Sequence, residues 1–521
     1  MRRILAAMLC LSLILLVNPL TEIGATMEIP FRLGNEVLLD HYRHLIEGKR
    51  VGLITNPTGV DSQGRLLMNI LAEDPAVDLV ALFGPEHGLD GKASAGHSVK
   101  SYIHPELGIQ VHSLYGDTRK PTAAMLQGID VLLFDIQDIG ARSYTFISTM
   151  NYAMQAAQEN GISFVVLDRP NPIGGEIAEG PMMEERFITF VGVDHLPMTH
   201  GMTIGELARY FNRKIGVNLT VVPMEGYTRD MIWQDTGLTW IPTSPMIPDI
   251  DAAFGYGATG LGEGTGIGQQ DTFKWIGGKG IDSQRFADLL NGAGLPGVTY
   301  LPEVRGSYGG VRLQITDYRR FNPAKSGLYA LAFAQQLTGF KVPKSGSTQA
   351  SIVMFDKIMG TDKVGQWLEQ KLSPQEMEAR YAPGLNAFRQ ERQRYLIYGY
   401  LNKSGVVSVL VDNTPIYFDA APFIDGSDRV MVPLRAIGEA LGANVHWDAA
   451  TRQVTMTKGT FSSRLTIGKQ TATVNGQEKL MDTSAVITQN RTMVPVRFVS
   501  EFLGANVQWN ASERAVVIRT R

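Results

Sequence analysis

The chain has 521 residues, 44% of them hydrophobic and 19% charged, with a formal net charge of −3. That length accommodates about two to four domains, and the composition is that of a globular protein with ample core-forming material. A near-neutral chain without a long basic run excludes an electrostatic nucleic-acid binder.

Met1-Arg2-Arg3 is basic, Ile4–Val17 is a 14-residue apolar stretch, and Ile23-Gly24-Ala25 offers a small-residue cleavage site. The pattern predicts a signal peptide over 1–25 and a secreted or cell-wall-associated product with no membrane segment after cleavage. The single cysteine, Cys10, falls inside that segment, so the mature chain is expected to lack disulfides and thiolate chemistry.

Four near-continuous apolar runs follow, each ending in polar side chains. Arg50–Thr55 stops at Asn56-Pro57-Thr58, and Val77–Phe83 stops at Gly84-Pro85-Glu86-His87-Gly88. Ile129–Phe134 stops at the segment Asp135 to Arg142, and Ile162–Leu167 at Asp168-Arg169-Pro170-Asn171-Pro172. Runs without alternation predict parallel strands buried on both faces. Helical spacing marks Val37–Glu47, Arg65–Glu73 and Ile147–Asn160, a capping box from Thr203 to Glu206 opens another helix, and Leu219–Pro223 reads as a further strand. Such alternation predicts an α/β fold, a Rossmann-like doubly wound sheet over 26–245. Ligands of these sheets bind beyond the carboxyl ends of the strands, so the four clusters define one candidate rim.

The rim carries the candidate chemistry. Glu86 and His87, fixed between Pro85 and Gly88, suit a general acid and its neighbour. Asp135 and Asp138, three residues apart, would face one crevice if their turn is helical. Arg142 could orient one of them or bind an acidic substrate group, with Tyr144 close by. Asn56, Gln137, Arg169, Asn171 and His200 are candidates for substrate binding.

From 246 to 400 a smaller α+β auxiliary subdomain is expected, with helices at Ser283–Asn291 and Lys325–Leu337 and a strand at Tyr308–Thr316. Its glycine-dense stretch, Gly255–Gly280, is expected as a long loop bearing Glu263 and Thr265. Two readings stay open for it, a mobile lid that delivers a carboxylate and a rigid structural loop. The spacing Gly262-x-Gly264-x-Gly266 is not followed by lysine, which argues against a phosphate loop. H-E-x-x-H and G-x-S-x-G are both missing from the sequence, and no metal or cofactor is expected. Asn402-Lys403-Ser404-Gly405 reads as a linker.

Segments Arg429–Met456 and Arg491–Ile518 then align without gaps at an offset of 62 residues, with 15 of 28 positions identical. Each copy predicts strand, short helix, strand, the helix following Pro433 or Pro495 and ending at Gly442 or Gly504. The two copies are expected to form a pseudo-symmetric α+β stalk domain over 406–521, with Trp447 and Trp509 filling the core of each copy. This repeat resembles the N-terminal stalk domain of copper amine oxidases, which implies a spacer or wall-contacting unit and no copper.

The motifs FGPEHG, DIQDIGARSYTF, LDRPNPIGG, HGMTIGELARYFN, SPMIP and GEGT, in this order, resemble the bacterial exo-β-N-acetylmuramidase family over about 30–400. The resemblance implies a glycoside hydrolase that releases N-acetylmuramic acid from the non-reducing ends of peptidoglycan fragments, for cell-wall turnover or recycling. It places Glu86 as the leading catalytic residue. Asp90 and Gln269 or Gln270 stand where many members carry arginine. The competing reading is a non-catalytic cell-wall glycan-binding surface protein.

Overall fold

The computed structural model describes residues 31–399, 407–411, 414–416, 422–488, 491–510 and 515–520. The expected signal peptide and linker lie outside them. The described residues separate into two compact bodies, the larger one over 31–399 and the smaller one formed by those from 407 onward.

The larger body begins with helix α1 (Gly34–His41), strand β1 (Arg50–Thr55), helix α2 (Leu67–Glu73) and strand β2 (Asp78–Gly84). A short hairpin, β3 (Tyr102–Ile103) and β4 (Gln110–Ser113), precedes α3 (Ala123–Leu126) and β5 (Val131–Asp135). Then come α4 (Phe146–Glu159), β6 (Ser163–Leu167), α5 (Ile204–Ile215) and β7 (Leu219–Val222). The sheet order is β3-β4-β2-β1-β5-β6-β7, parallel except for the β3–β4 pair. Successive residues of each central strand enter opposite cores. Leu132, Phe134, Phe164 and Val166 face α4 and α5, whereas Val131, Leu133, Val165 and Leu167 face α1 and α2. Burial on both faces is why these runs lack alternation, and the sheet is doubly wound, as the sequence predicts.

Helix α6 (Ile250–Thr259) follows, then β8 (Ile267–Gly268), β9 (Trp275–Lys279), α7 (Ser283–Gly292), β10 (Val298–Pro302) and β11 (Tyr308–Ile315). A helical layer closes the body: α8 (Pro323–Thr338), α9 (Met354–Met359), α10 (Lys363–Glu369) and α11 (Pro374–Glu391). The second sheet is antiparallel, in the order β10-β11-β9-β8, and its inner residues share one apolar core with α4 and α5.

Part of the long glycine loop expected at Gly255–Gly280 is helix. Gly255 and Gly257 lie within α6 because that helix packs too closely for side chains there. A Cβ on Gly255 would stand 2.0 Å from the Phe273 carbonyl oxygen, and one on Gly257 3.0 Å from Pro323. Helix-breaking composition here reflects tight packing, not a free loop.

In the smaller body the repeat is a true dyad. Val430–Pro433 pairs antiparallel with Arg491–Pro495, with Val432 opposite Val494 and Met431 opposite Pro495. Each strand runs into a helix capped by proline, Leu434–Ala440 and Val496–Phe502, and Gly442 and Gly504 follow with φ of 78° and 84°. The symmetry is broken beyond it. Gln453–Lys458 pairs with the inserted strand Phe461–Thr466, whereas its counterpart Ala515–Arg519 pairs in parallel with Ser408–Val411. The expected core role of the tryptophans is corrected. Trp509 is 42% exposed and Trp447 half-buried. Both lie on edge strands with a single neighbour. Among the described residues no helix is long and apolar enough to cross a bilayer.

Candidate active site

Glu86 leaves β2 on a turn in which His87 and Gly88 both adopt left-handed backbone, φ 71° and 83°. That reversal leaves the Glu86 carboxyl on the rim, 9% exposed. Both its oxygens are held. Gly96 N donates to Oε1 at 2.9 Å, and Thr145 Oγ1 donates to Oε2 at 2.5 Å. Thr145 is the N-cap residue of α4, so the helix after β5 orients the carboxyl that follows β2.

Two tyrosines complete the wall. Burial pushes the Tyr115 phenol up, with Arg119 opposing the shift and Glu86 reinforcing it. Tyr256, on α6, shares a 3.2 Å hydrogen bond with Ser143 Oγ. Its phenol is pushed up to about 12 by burial, and Glu86 and Glu263 add to the shift. Glu263 is exposed on the turn that follows α6. The tertiary structure thus brings these two carboxylates, 177 positions apart in the chain, into the field of one hydroxyl. Tyr144 buttresses the group from beneath: its ring meets Phe146 at 4.9 Å and Tyr256 at 5.7 Å, and its hydroxyl donates to Thr243 at 2.8 Å.

Several predicted site residues are supports instead. The His87 ring is turned inward, Nδ1 donating to the Ala93 carbonyl at 2.7 Å, and it shapes the loop that carries Gly96 to Glu86. Asp135 and Asp138 do not face one crevice, because residues 136–139 are not helical. Asp135 is fully buried, accepting from Arg169 Nε at 2.6 Å and from Asn35 Nδ2 at 3.2 Å. Asp138 accepts from Gly140 N at 2.8 Å, and burial pushes its carboxyl up to about 7. Its other neighbour is His200, wholly buried at 3.9 Å, whose imidazole burial pushes down to about 3.

Arg142 is a further correction. Its guanidinium is completely buried and donates to the carbonyls of Pro181, Leu196 and Ile358 at 3.0, 2.6 and 2.6 Å, so it is not presented to an acidic substrate group. Burial without a carboxylate pushes it down to about 9. Asn56 and Asn171 brace their own turns, the first accepting from Thr58 N at 3.0 Å, the second from Ile173 N at 3.2 Å. Thr265 pins the turn after α6 by donating to the Gly262 carbonyl at 2.6 Å. Asp168 accepts from Thr203, Gly205 and Tyr398, tying the end of β6 to the start of α5.

Gln137 and Arg169, beyond β5 and β6, line a cavity of about 260 Å³ with Thr58, Asp61, Trp233 and Ile241; Glu86 is not part of its wall. Sequence reasoning missed Thr145, Tyr115 and Tyr256. Thr145 carried a signal, since a threonine just ahead of a predicted helix is a common cap. Isolated tyrosines carry none.

Comparison with known proteins agrees with this architecture. Residues 51–251 match the family described as exo-beta-N-acetylmuramidase NamZ, N-terminal, and residues 254–398 match its C-terminal counterpart. Residues 410–518 match the copper amine oxidase N-terminal domain. The peptidoglycan beta-N-acetylmuramidase NamZ of Bacillus subtilis (strain 168) is 43% identical over 382 residues, covering 70% of this chain and 91% of that protein. A crystal structure of a DUF1343 family protein from Bacteroides fragilis superposes with a TM-score of 0.64 at 37% identity, over 71% of this chain and 99% of that one. A second from the same organism gives 0.54 at 25% identity with the same coverage. A protein of Brevibacillus choshinensis named a protease inhibitor is 34% identical over 99 residues, 19% of this chain and 30% of that protein.

Proposed function

The chain belongs to the exo-β-N-acetylmuramidase NamZ family and is a glycoside hydrolase, and from that premise we propose that it releases N-acetylmuramic acid from the non-reducing ends of peptidoglycan fragments, outside the cell, in wall turnover or recycling. The observation that carries the reading is the Glu86 carboxyl, fixed on both oxygens at the end of β2 and walled by Tyr115 and Tyr256.

Glycosidic cleavage needs a carboxylic acid that protonates the leaving oxygen and a second group that stabilises or attacks the anomeric carbon. Glu86 takes the first part: the Thr145 and Gly96 donors fix its plane, so its proton is delivered in one direction. Glu263 takes the second part, because Asp135 and Asp138 are sealed beneath the rim. The tyrosine walls supply apolar faces for the sugar ring and hydroxyls at its edge. Export is supported by the basic and apolar pattern of the first 25 residues. The smaller body serves as a spacer or wall-contacting unit.

The test is hydrolysis of a chromogenic β-glycoside of N-acetylmuramic acid by the purified mature protein. Turnover with the wild type and its loss in Glu86→Gln support the reading. Wild-type protein that folds and leaves the glycoside intact overturns it.

A further inference from the structure

The Glu86 site has a cation at its lip that the catalytic scheme does not use. Arg119 is exposed, and its guanidinium carbon lies 4.6 Å from the Tyr115 ring centroid and 5.1 Å from that of Phe190. The rings of Tyr115 and Phe190 are 6.0 Å apart, and Tyr152 of α4 backs Phe190 at 5.3 Å, edge to face. Phe190 and Tyr152 are half-buried, so this platform is partly open to solvent. Tyr115 joins the platform to the carboxyl, since Arg119 and Glu86 act on its hydroxyl together.

Four other arginines of the larger body are committed. Arg142 serves carbonyls, Arg169 serves Asp135, and Arg305 and Arg312 serve Glu303 and Asp271. Arg119 differs: among the described residues no carboxylate lies within ion-pair distance of it. Stacking on two aromatic faces holds the planar fork, and its contact with the Tyr115 hydroxyl uses only part of the five donors a guanidinium carries. An aromatic platform with a guanidinium that no carboxylate among the described residues neutralises is suited to a sugar that carries a carboxylate.

We propose that Arg119 is a specificity-determining residue of the Glu86 site, binding the lactyl carboxylate of the muramoyl residue being released. The inference rests on the proposed muramidase function. The guanidinium forms charge-assisted hydrogen bonds to the carboxylate, bidentate where both oxygens are reached, and the sugar ring lies toward Tyr115. A glucosamine residue, which lacks the lactyl group, leaves the guanidinium solvated, and a lactyl amide offers it no charge.

The experiment compares wild type, Arg119→Ala and Arg119→Lys on three chromogenic β-glycosides: N-acetylmuramic acid, its lactyl amide and N-acetylglucosamine. Calorimetric binding of free N-acetylmuramic acid and N-acetylglucosamine is measured in parallel. For Arg119→Ala, KM for the acid should rise about tenfold or more with kcat within about threefold, while the amide and glucosamine substrates are unaffected. Arg119→Lys should recover part of the loss, and N-acetylmuramic acid binding should weaken in step. An acid-to-amide ratio of kcat/KM that is the same in Arg119→Ala as in wild type overturns the inference, as does unchanged binding of the free acid. Wild-type protein that binds the acid through Arg119 but cleaves none of the glycosides overturns the muramidase reading and leaves the carboxylate site standing.

Discussion

Thr145 Oγ1 donates to Glu86 Oε2 across 59 positions of sequence, so the mouth of α4 sets the direction of the rim carboxyl. A general acid contributes about 10²–10⁴-fold to the rate, and Glu86→Gln should lose that factor in kcat while melting within about a degree of wild type. Thr145→Val removes only the orienting donor. Its kcat should fall by about tenfold with little change in KM. Steady-state kinetics and a thermal melt check both; a Gln variant with wild-type turnover would sink the assignment.

Asp138 and His200, side by side, have opposite effects on stability. The Asp138 carboxyl, raised from 3.8 to about 7, keeps a proton in the folded state that the unfolded chain has released, so its contribution is lost as pH rises through that window. The His200 imidazole, lowered from 6.5 to about 3, stays neutral when folded while the unfolded chain is protonated, so its contribution grows as pH rises through that window. Where the windows overlap the slopes oppose, and each is at most about 1.4 kcal/mol per pH unit. Denaturant titrations from pH 4.5 to 6.5 should show little net slope from this pair in wild type. Relative to wild type, Asp138→Asn should add a rising slope and His200→Asn a falling one.

The Asp135–Arg169 pair, 2.6 Å apart and almost wholly buried, joins the ends of β5 and β6. Removing one partner leaves an uncompensated charge in the interior. Arg169→Ala should therefore cost about 3–5 kcal/mol in urea unfolding. A loss below about 1 kcal/mol would mean that water reaches the pair.

Gly255→Ala tests the packing reading of the glycine-dense stretch. Its Cβ would meet the Phe273 carbonyl at 2.0 Å, a backbone atom that cannot turn away. The substitution should destabilise by about 2 kcal/mol, against the gain that alanine normally brings to a helix. An unchanged or higher melting temperature would show that the segment yields as a loop does.

A chain ending at residue 404 retains the whole core shared by the two sheets of the larger body. It should keep wild-type kcat/KM on soluble glycosides, while sedimentation with intact walls falls. Loss of soluble-substrate activity in a truncated chain that still melts cooperatively would make the smaller body part of the active site.

The sequence by itself determined the doubly wound sheet, its strands to within about two residues, the rim and the repeat. These are short-range signals: unbroken apolar runs follow from two buried faces, and the caps at Thr203, Pro433 and Pro495 are local chemistry. The sequence also marked Glu86 and Glu263. It could not tell which of the other polar rim residues face solvent, because a side chain's partner is set by contacts far along the chain. Arg142 reads as a substrate-binding arginine until Ile358, 216 positions away, places a carbonyl against it. Asp135 reads as a catalytic carboxylate until Arg169 pairs with it under the rim. Tyr115, Thr145 and Tyr256 acquire meaning only where β2, α4 and α6 converge on one carboxyl. That convergence is a product of tertiary packing, which no local periodicity encodes.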